Sequence, residues 1–259
     1  MNSDDTKKSV LLYILLAFGL PLICVLLIQY VDPFRSGVLH FILYGIEAMT
    51  PTLSALIVTL LLGGNDALRA FLKKCYFDNI KLSHVILAII LPTTILTLTK
   101  LTSYIFTTPL ISGISSKHLI IVLWALITEE LGWRGFLQEK LDRRFGYIIT
   151  PLILGGIWSL WHYHFFLSGT NTAPFLLFTL GCIAESYSYY WLTRLSKGNV
   201  IPASIWHFTG NLWIKLYLIN PEYNQGSVVP YLLFVLYTTI IAACLTSWGI
   251  QSAKKNLHL

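Results

Sequence analysis

Long apolar stretches separated by short basic segments run through almost all of this 259-residue sequence. Hydrophobic residues make up 55% of the chain and charged residues only 12%, against about 25% charged in an ordinary soluble domain. A soluble fold would leave such stretches with no polar face for water, whereas a bilayer accepts them. The composition therefore predicts an all-α, polytopic integral membrane protein.

About eight apolar segments are long enough to cross hydrocarbon, since one span needs roughly 20 apolar residues. No segment between them has the length or composition of a separate soluble domain, so residues 1–259 are interpreted as a single membrane domain. The predicted spans are 10–31, 38–62, 82–107, 118–139, 148–168, 173–194, 200–219 and 228–250.

The positions of the 18 Lys and Arg residues predict an orientation for these spans. With both termini in the cytoplasm, thirteen basic residues flank the inner side and only Arg35 and Lys117 the outer side, as the positive-inside rule requires. We therefore expect a multi-pass plasma-membrane protein with both termini cytoplasmic. The same distribution explains the net charge of +6 without a nucleic-acid partner.

Charged side chains are costly in hydrocarbon, so those within predicted spans are candidates for function. The fourth span contains Glu129, Glu130 and Arg134. Residues four apart share a face of a helix, so Arg134 is expected to neutralise Glu130. Glu129 would then have few partners and be available as a general base.

Two further spans carry polar groups at a depth similar to that of the carboxylates. The fifth span contains Trp158 and His162, and the seventh contains His207 and Asn211; the members of each pair are four apart and share a face. His164 is about 200° from His162 around the helix and is expected to point elsewhere. One histidine inside a span is as often a packing residue as a functional one, but three spans with complementary groups favour a common site.

Two other acids in predicted spans, Glu47 and Glu185, have no evident place in this site. A structural pair with Lys100 or Lys215 is the preferred interpretation of both acids. One aromatic group in the sixth span is typical of an interfacial belt: Tyr187, Tyr189, Tyr190 and Trp191.

Three motifs resemble those of a known family. Residues 129–135 read EELGWRG, residues 158–162 read WSLWH and residues 207–211 read HFTGN. In order and spacing they resemble three motifs of a family of intramembrane endopeptidases, namely EExxxR, aromatic-xxx-His and HxxxN. This family, called the CPBP or Abi family, includes the type II CAAX prenyl proteases and their bacterial relatives. The resemblance covers about residues 118–217, which would form the catalytic core, with the catalytic residues in spans four, five and seven.

The resemblance implies hydrolysis of peptide bonds in a membrane-anchored peptide or protein, within or beside the lipid bilayer. It implies four catalytic residues, of which Glu129 and His162 activate a water while His207 and Asn211 stabilise the oxyanion. It also implies three supporting residues: Glu130, Arg134 and Trp158.

Two alternatives concern the chemistry and the function. Glu129, His162 and His207 could instead be three zinc ligands that leave a fourth position for water, although no HExxH motif is present and metal-free hydrolysis is favoured. The chain could also be a proton- or ion-coupled transporter with a relay of Glu129, Glu130 and Glu185, or a non-catalytic scaffold or bacteriocin immunity protein.

Overall fold

The computed structural model describes residues 3–104 and 116–257, and within these ranges the chain is helical with no β-strand. The last residues of the third predicted span, 105–107, lie outside the described residues. The α-helices are α1 (Ser3–Tyr30), α2 (Gly37–Tyr76), α3 (Leu82–Ser103), α4 (Ser116–Trp124), α5 (Gln138–Trp161), α6 (Tyr163–Leu167), α7 (Phe175–Leu195), α8 (Ile201–Leu216) and α9 (Val229–Leu257). Short 3₁₀ turns cover Asp32–Phe34 and Pro221–Tyr223, and a π-helix covers Leu131–Leu137.

Among the described residues, five helical stretches are long and apolar enough to cross a membrane: Asp5–Tyr30, Gly37–Tyr76, Leu82–Ser103, Leu131–Leu167 and Val229–Ala253. The prediction of an all-helical membrane protein is therefore confirmed. Helices α7 and α8 follow the sixth and seventh predicted spans but are not among the five, so the total of eight stays a prediction.

Large apolar side chains are exposed on the outer faces of the long helices. Leu15 of α1, Leu61 of α2 and Leu232 of α9 are each more than half exposed. The three largest fully buried side chains are the tryptophans Trp133, Trp161 and Trp206. A lipid environment favours this arrangement, with apolar groups on the outside and aromatic and polar groups on the inside. Lipid tolerates so much exposed apolar surface, whereas water does not.

The fourth predicted span, 118–139, is not one regular helix. The N–H groups of residues 125–127 bond to the carbonyls three residues earlier, and the α4 ladder ends at Trp124. Glu129 lies in a bend, and the π-helix begins at Leu131 and leads directly into α5. The expectation that Glu129 lies on a regular α-helix is therefore wrong.

Two glycines allow the helices around this bend to approach closely. A Cβ at Gly132 of the π-helix would lie 2.3 Å from the carbonyl oxygen of Pro51 in α2. A Cβ at Gly155 of α5 would lie 2.6 Å from the Cα of Ile183 in α7, whereas one at the adjacent Gly156 would meet no atom within 4 Å. The absence of a side chain thus determines how closely α5 approaches α7.

We expect Gly155→Ala to lower the free energy of unfolding by about 1–3 kcal/mol, because the added methyl group forces α5 away from α7. Gly156→Ala is the matched control: it is expected to be neutral or to stabilise by up to about 1 kcal/mol, since alanine is the better helix former. Thermal unfolding of both purified variants in one detergent measures the difference. Equal unfolding midpoints would contradict this account of the α5–α7 contact.

Candidate active site

A cavity of about 640 Å³ brings together the four residues predicted to be catalytic. Glu129 comes from the bend before the π-helix, His162 from the C-terminal end of α5, and His207 and Asn211 from α8. Trp158 lines the same cavity. Residues up to 82 positions apart in the sequence therefore face one common space, while their catalytic roles stay predictions.

The Glu129 carboxylate is held by two indole groups. Its Oε2 accepts hydrogen bonds from Nε1 of Trp158 at 2.8 Å and from Nε1 of Trp133 at 3.3 Å. Its Oε1 lies 4.0 Å from Nε2 of His207. Glu129 thus has more partners than the sequence indicated: one oxygen is fixed and the other is left for the cavity.

Trp133 was not among the predicted site residues. It lies in the π-helix, four positions after Glu129, and is fully buried. The i, i+4 spacing was a signal in the sequence, but a buried tryptophan is ordinarily a packing residue. Only the structure directs its N–H group at the carboxylate.

Behind Glu129 lies a buried ion pair between Glu130 and Arg134. Nη1 of Arg134 is 3.1 Å from Oε1 of Glu130, as the i, i+4 spacing predicted, and both side chains are shielded from solvent. The same glutamate oxygen is 2.8 Å from Nδ1 of His207. Nη2 of Arg134 donates to the Ser186 hydroxyl at 3.2 Å. The pair therefore links the π-helix to α7 and α8.

Aromatic rings cover the flat faces of the Arg134 guanidinium. Its carbon lies 4.5 Å from the ring centroid of Trp158 and 4.2 Å from that of Tyr189. Tyr189 is fully buried, so its predicted place in an interfacial belt is wrong. Cation–π contacts of this kind stabilise a desolvated cation by up to about 2 kcal/mol each.

The hydrogen bonds of the two histidines determine which ring nitrogen faces the cavity. Nδ1 of His162 lies 2.8 Å from the carbonyl oxygen of Trp158, which can only accept, so this nitrogen carries the proton and Nε2 remains for the cavity. Nδ1 of His207 faces Glu130 in the same way, and its Nε2 faces Glu129. Asn211 lies one turn further along α8 with its side chain at the cavity.

The other charged residues predicted inside spans have different surroundings. Glu47 is paired with Nδ1 of His164, so His164 does point away from the site. Glu185 lines the cavity and forms no ion pair or hydrogen bond with any other described residue. Nζ of Lys215 donates to the Tyr223 hydroxyl at 3.1 Å. The expected pairing of Glu47 and Glu185 with a lysine is therefore wrong, because among the described residues Glu47 lies against His164 and neither acid forms an ion pair with Lys100 or Lys215.

The predicted zinc ligands do not form a ligand set in this geometry. In the described part of the chain, no three His, Cys, Asp or Glu side chains are arranged to share a metal ion. Oε2 of Glu129 is occupied by two indoles and Nδ1 of His207 by Glu130. The atoms that remain for the cavity are Oε1 of Glu129 and Nε2 of His162 and of His207, so the choice between the metal-free and the zinc mechanism stays a prediction.

Comparison with known proteins points to the same part of the chain. Residues 111–213 match the family model described as Type II CAAX prenyl endopeptidase Rce1-like. The CAAX prenyl protease 2 of Methanococcus maripaludis is 28% identical over 113 residues. That alignment covers 40% of this chain and 42% of the relative, so less than half of the relative's length is matched.

We expect Arg134→Ala to lower the free energy of unfolding by about 3–5 kcal/mol, because it leaves the Glu130 carboxylate buried without its cation. Arg143→Ala is the matched control, since Arg143 forms an i, i+4 pair with Glu139 that is half exposed. Its loss should cost at most about 1 kcal/mol. Similar losses in the two variants, measured by thermal unfolding in detergent, would argue against a special role for the buried pair.

Proposed function

We propose that this chain, whose residues 111–213 match the Rce1-like type II CAAX prenyl endopeptidase family model, is an intramembrane endopeptidase. It hydrolyses peptide bonds of membrane-anchored peptide or protein substrates. The single observation that carries the proposal is the Glu129 carboxylate, which two indoles orient in a cavity shared with His162, His207 and Asn211. An oriented carboxylate in a mostly shielded cavity is suited to general-base chemistry.

In this mechanism Glu129 and His162 activate the attacking water. The two indole donors stabilise the carboxylate through Oε2, so Oε1 is the oxygen that accepts the proton of the water. His162 presents Nε2 as an acceptor, since its Nδ1–H group is bonded to the Trp158 carbonyl. Oε1 of Glu129 and Nε2 of His162 hold a water, and Glu129 takes one of its protons as the water oxygen attacks the scissile carbonyl carbon. That proton passes to the amine nitrogen when the C–N bond of the tetrahedral intermediate breaks.

His207 and Asn211 stabilise the oxyanion of the tetrahedral intermediate. The buried cluster contains two carboxylates, Glu129 and Glu130, and one obligatory cation, Arg134. Its formal charge becomes zero when His207 carries protons on both ring nitrogens, and Nε2–H is then a donor at the cavity. The Asn211 carboxamide supplies a second donor one turn away, and donors fixed before the reaction are the efficient kind.

The alternative of a proton relay through Glu129, Glu130 and Glu185 has less support. Glu130 is held by Arg134 and His207, and a carboxylate fixed between two cations is a poor carrier of protons. A non-catalytic scaffold would not need the oriented Glu129. Hydrolysis without metal is the form that we propose, because a His207 that carries protons on both ring nitrogens is a hydrogen-bond donor and not a metal ligand.

The cavity opens at segments that the charge distribution assigns to the outer side. Its lining extends to His40 at the start of α2, to residues 169–171 after α6 and to Glu222 and Tyr223 after α8. The basic flanks that define the cytoplasmic side lie at the opposite helix ends. With both termini in the cytoplasm of a plasma-membrane protein, the substrate would therefore enter from the outer leaflet or the outer face, as expected for small exported peptides.

We expect Glu129→Gln to abolish cleavage of a prenylated CAAX peptide by the protein in detergent, with an unchanged unfolding midpoint. Glutamine keeps the shape of the side chain but cannot take a proton. Glu130→Gln is the comparison: it should lower the unfolding midpoint and retain part of the activity per folded molecule. If Glu129→Gln cleaves at the wild-type rate and Glu130→Gln is inactive, the roles of the two glutamates are reversed. If the wild type cleaves no peptide, the proposed function is refuted.

We expect Asn211→Ala to reduce kcat by about 10²–10³, the typical effect of removing one oxyanion donor, while the protein remains folded. The cleavage assay measures this change.

The purified wild type should contain no stoichiometric zinc and should keep most of its activity after prolonged chelation. Elemental analysis and the cleavage assay measure both. One zinc per chain, lost together with activity in His162→Ala, would overturn the metal-free mechanism but not the assignment as a peptidase.

A further inference from the structure

Two long helices break at a glycine with a positive φ angle. Gly64 in α2 has φ 70° and ψ −171°, and Gly146 in α5 has φ 66° and ψ −161°. Glycine adopts such angles without the steric cost that a Cβ would add. Each helix therefore consists of a long apolar part and a short segment on the other side of the glycine. These short segments, 65–76 of α2 and 138–145 of α5, are named the basic segments.

The basic segments contain six Lys and Arg residues against three acids. An ion pair joins them, since Nζ of Lys74 donates to Oε2 of Glu139 at 2.8 Å. Oε1 of the same carboxylate accepts a hydrogen bond from Nη2 of Arg143 at 2.6 Å. With Lys140 next to it in the chain, this one carboxylate lies among three cations. The contact between the two segments is therefore net positive.

A second cavity, of about 300 Å³, lies between the basic segments. Two lysines and one acid line it, namely Lys74, Lys140 and Glu139. Apolar side chains from both parts of α2 and from the π-helix complete much of the wall: Val58, Leu62, Ala70, Phe71 and Phe136. This cavity shares no lining residue with the active-site cavity, which extends to the other end of α2. It is therefore a separate space with its own chemistry.

The second cavity is charged on one side and apolar on the other. The side chains of Lys74 and Glu139 are 39% and 32% exposed, so the charged part reaches solvent. Leu61 and Leu62 are 68% and 44% exposed and continue the apolar surface along α2 into the predicted second span. A soluble anion would use only the charged part, whereas a phospholipid would use both. The excess of cations selects for a lipid with a net negative head group.

We propose that the second cavity binds one anionic phospholipid of the leaflet that the charge distribution assigns to the cytoplasm. The head-group phosphate lies at the ammonium groups of Lys74 and Lys140, and the first part of an acyl chain lies along the apolar wall. Lysine binds phosphate as a point charge, and basic pockets between membrane helices on the cytoplasmic side are typical sites for anionic head groups. The site goes beyond the proposed hydrolysis and takes no part in it.

Phospholipids with the same acyl chains and different head groups test the site in the full-length protein. The probes are dioleoyl phosphatidylglycerol, dioleoyl phosphatidylcholine, the deacylated head group glycerophosphoglycerol and inorganic phosphate, each titrated into the protein in a neutral detergent. Native mass spectrometry measures the bound probe, and the unfolding midpoint is a second readout, because a ligand of the folded state raises it. Phosphatidylglycerol is expected to bind at least about tenfold more tightly than phosphatidylcholine, since two lysines attract a head group with net negative charge.

Lys140→Met should reduce this preference about fivefold, the effect of one lysine near an anionic head group, and Lys140→Arg should keep it. Lys73→Met is the matched control, because it removes the same charge from the same region. Lys73 is 69% exposed, pairs with Asp78 and lies outside the cavity lining, so its loss should change the preference by less than about twofold. Ala70→Leu keeps every charge but fills the cavity, so it should weaken the binding of phosphatidylglycerol.

Equal binding of the two phospholipids by the wild type would overturn the proposal. So would an equal loss of preference in Lys73→Met and Lys140→Met, which would show attraction to the basic surface as a whole. If inorganic phosphate or the deacylated head group binds as tightly as phosphatidylglycerol, or if Ala70→Leu binds it like the wild type, the acyl chain does not occupy the cavity and the lipid site is refuted. Binding requires no turnover, so none of these results depends on the proposed function.

Discussion

The buried ion pair between Glu130 and Arg134 is the interaction on which the site depends. Two charges removed from water are tolerated only where geometry and further hydrogen bonds compensate for the lost hydration. Here the guanidinium also donates to Ser186 of α7 and stacks on Trp158 of α5, and the carboxylate also faces His207 of α8. Because one pair contacts three helices, their relative positions and the orientation of His207 are set together.

The bend before the π-helix gives Glu129 a different environment from its neighbour. On a continuous α-helix, adjacent residues would point about 100° apart, but both would lie on the same helix and meet the same neighbouring helices. Ending α4 at Trp124 frees the backbone at Glu129, so its carboxylate reaches one indole from the π-helix and one from α5. Two adjacent carboxylates thus acquire separate surroundings, the first at the cavity and the second within the core.

Some features followed from local pattern alone. Composition predicted an all-helical membrane protein, and the i, i+4 spacing predicted the pair of Glu130 with Arg134, which forms although the segment is a π-helix. The spacing of Trp158 to His162 and of His207 to Asn211 predicted that each pair shares a face. Those predictions succeed because residues four apart lie about one turn apart in both the α-helix and the π-helix.

Contacts between distant segments were beyond the reach of the sequence. Tyr189 was expected at the membrane interface and instead covers Arg134; Glu47 lies against His164, more than 110 positions away. Lys215 was expected to neutralise an acid and instead contacts Tyr223. By itself the sequence determined the solvent, the helices and the chemical groups on each helical face. The tertiary structure decided which faces meet, because helix packing depends on steric fit between side chains, as at Gly155, and no local periodicity encodes that fit.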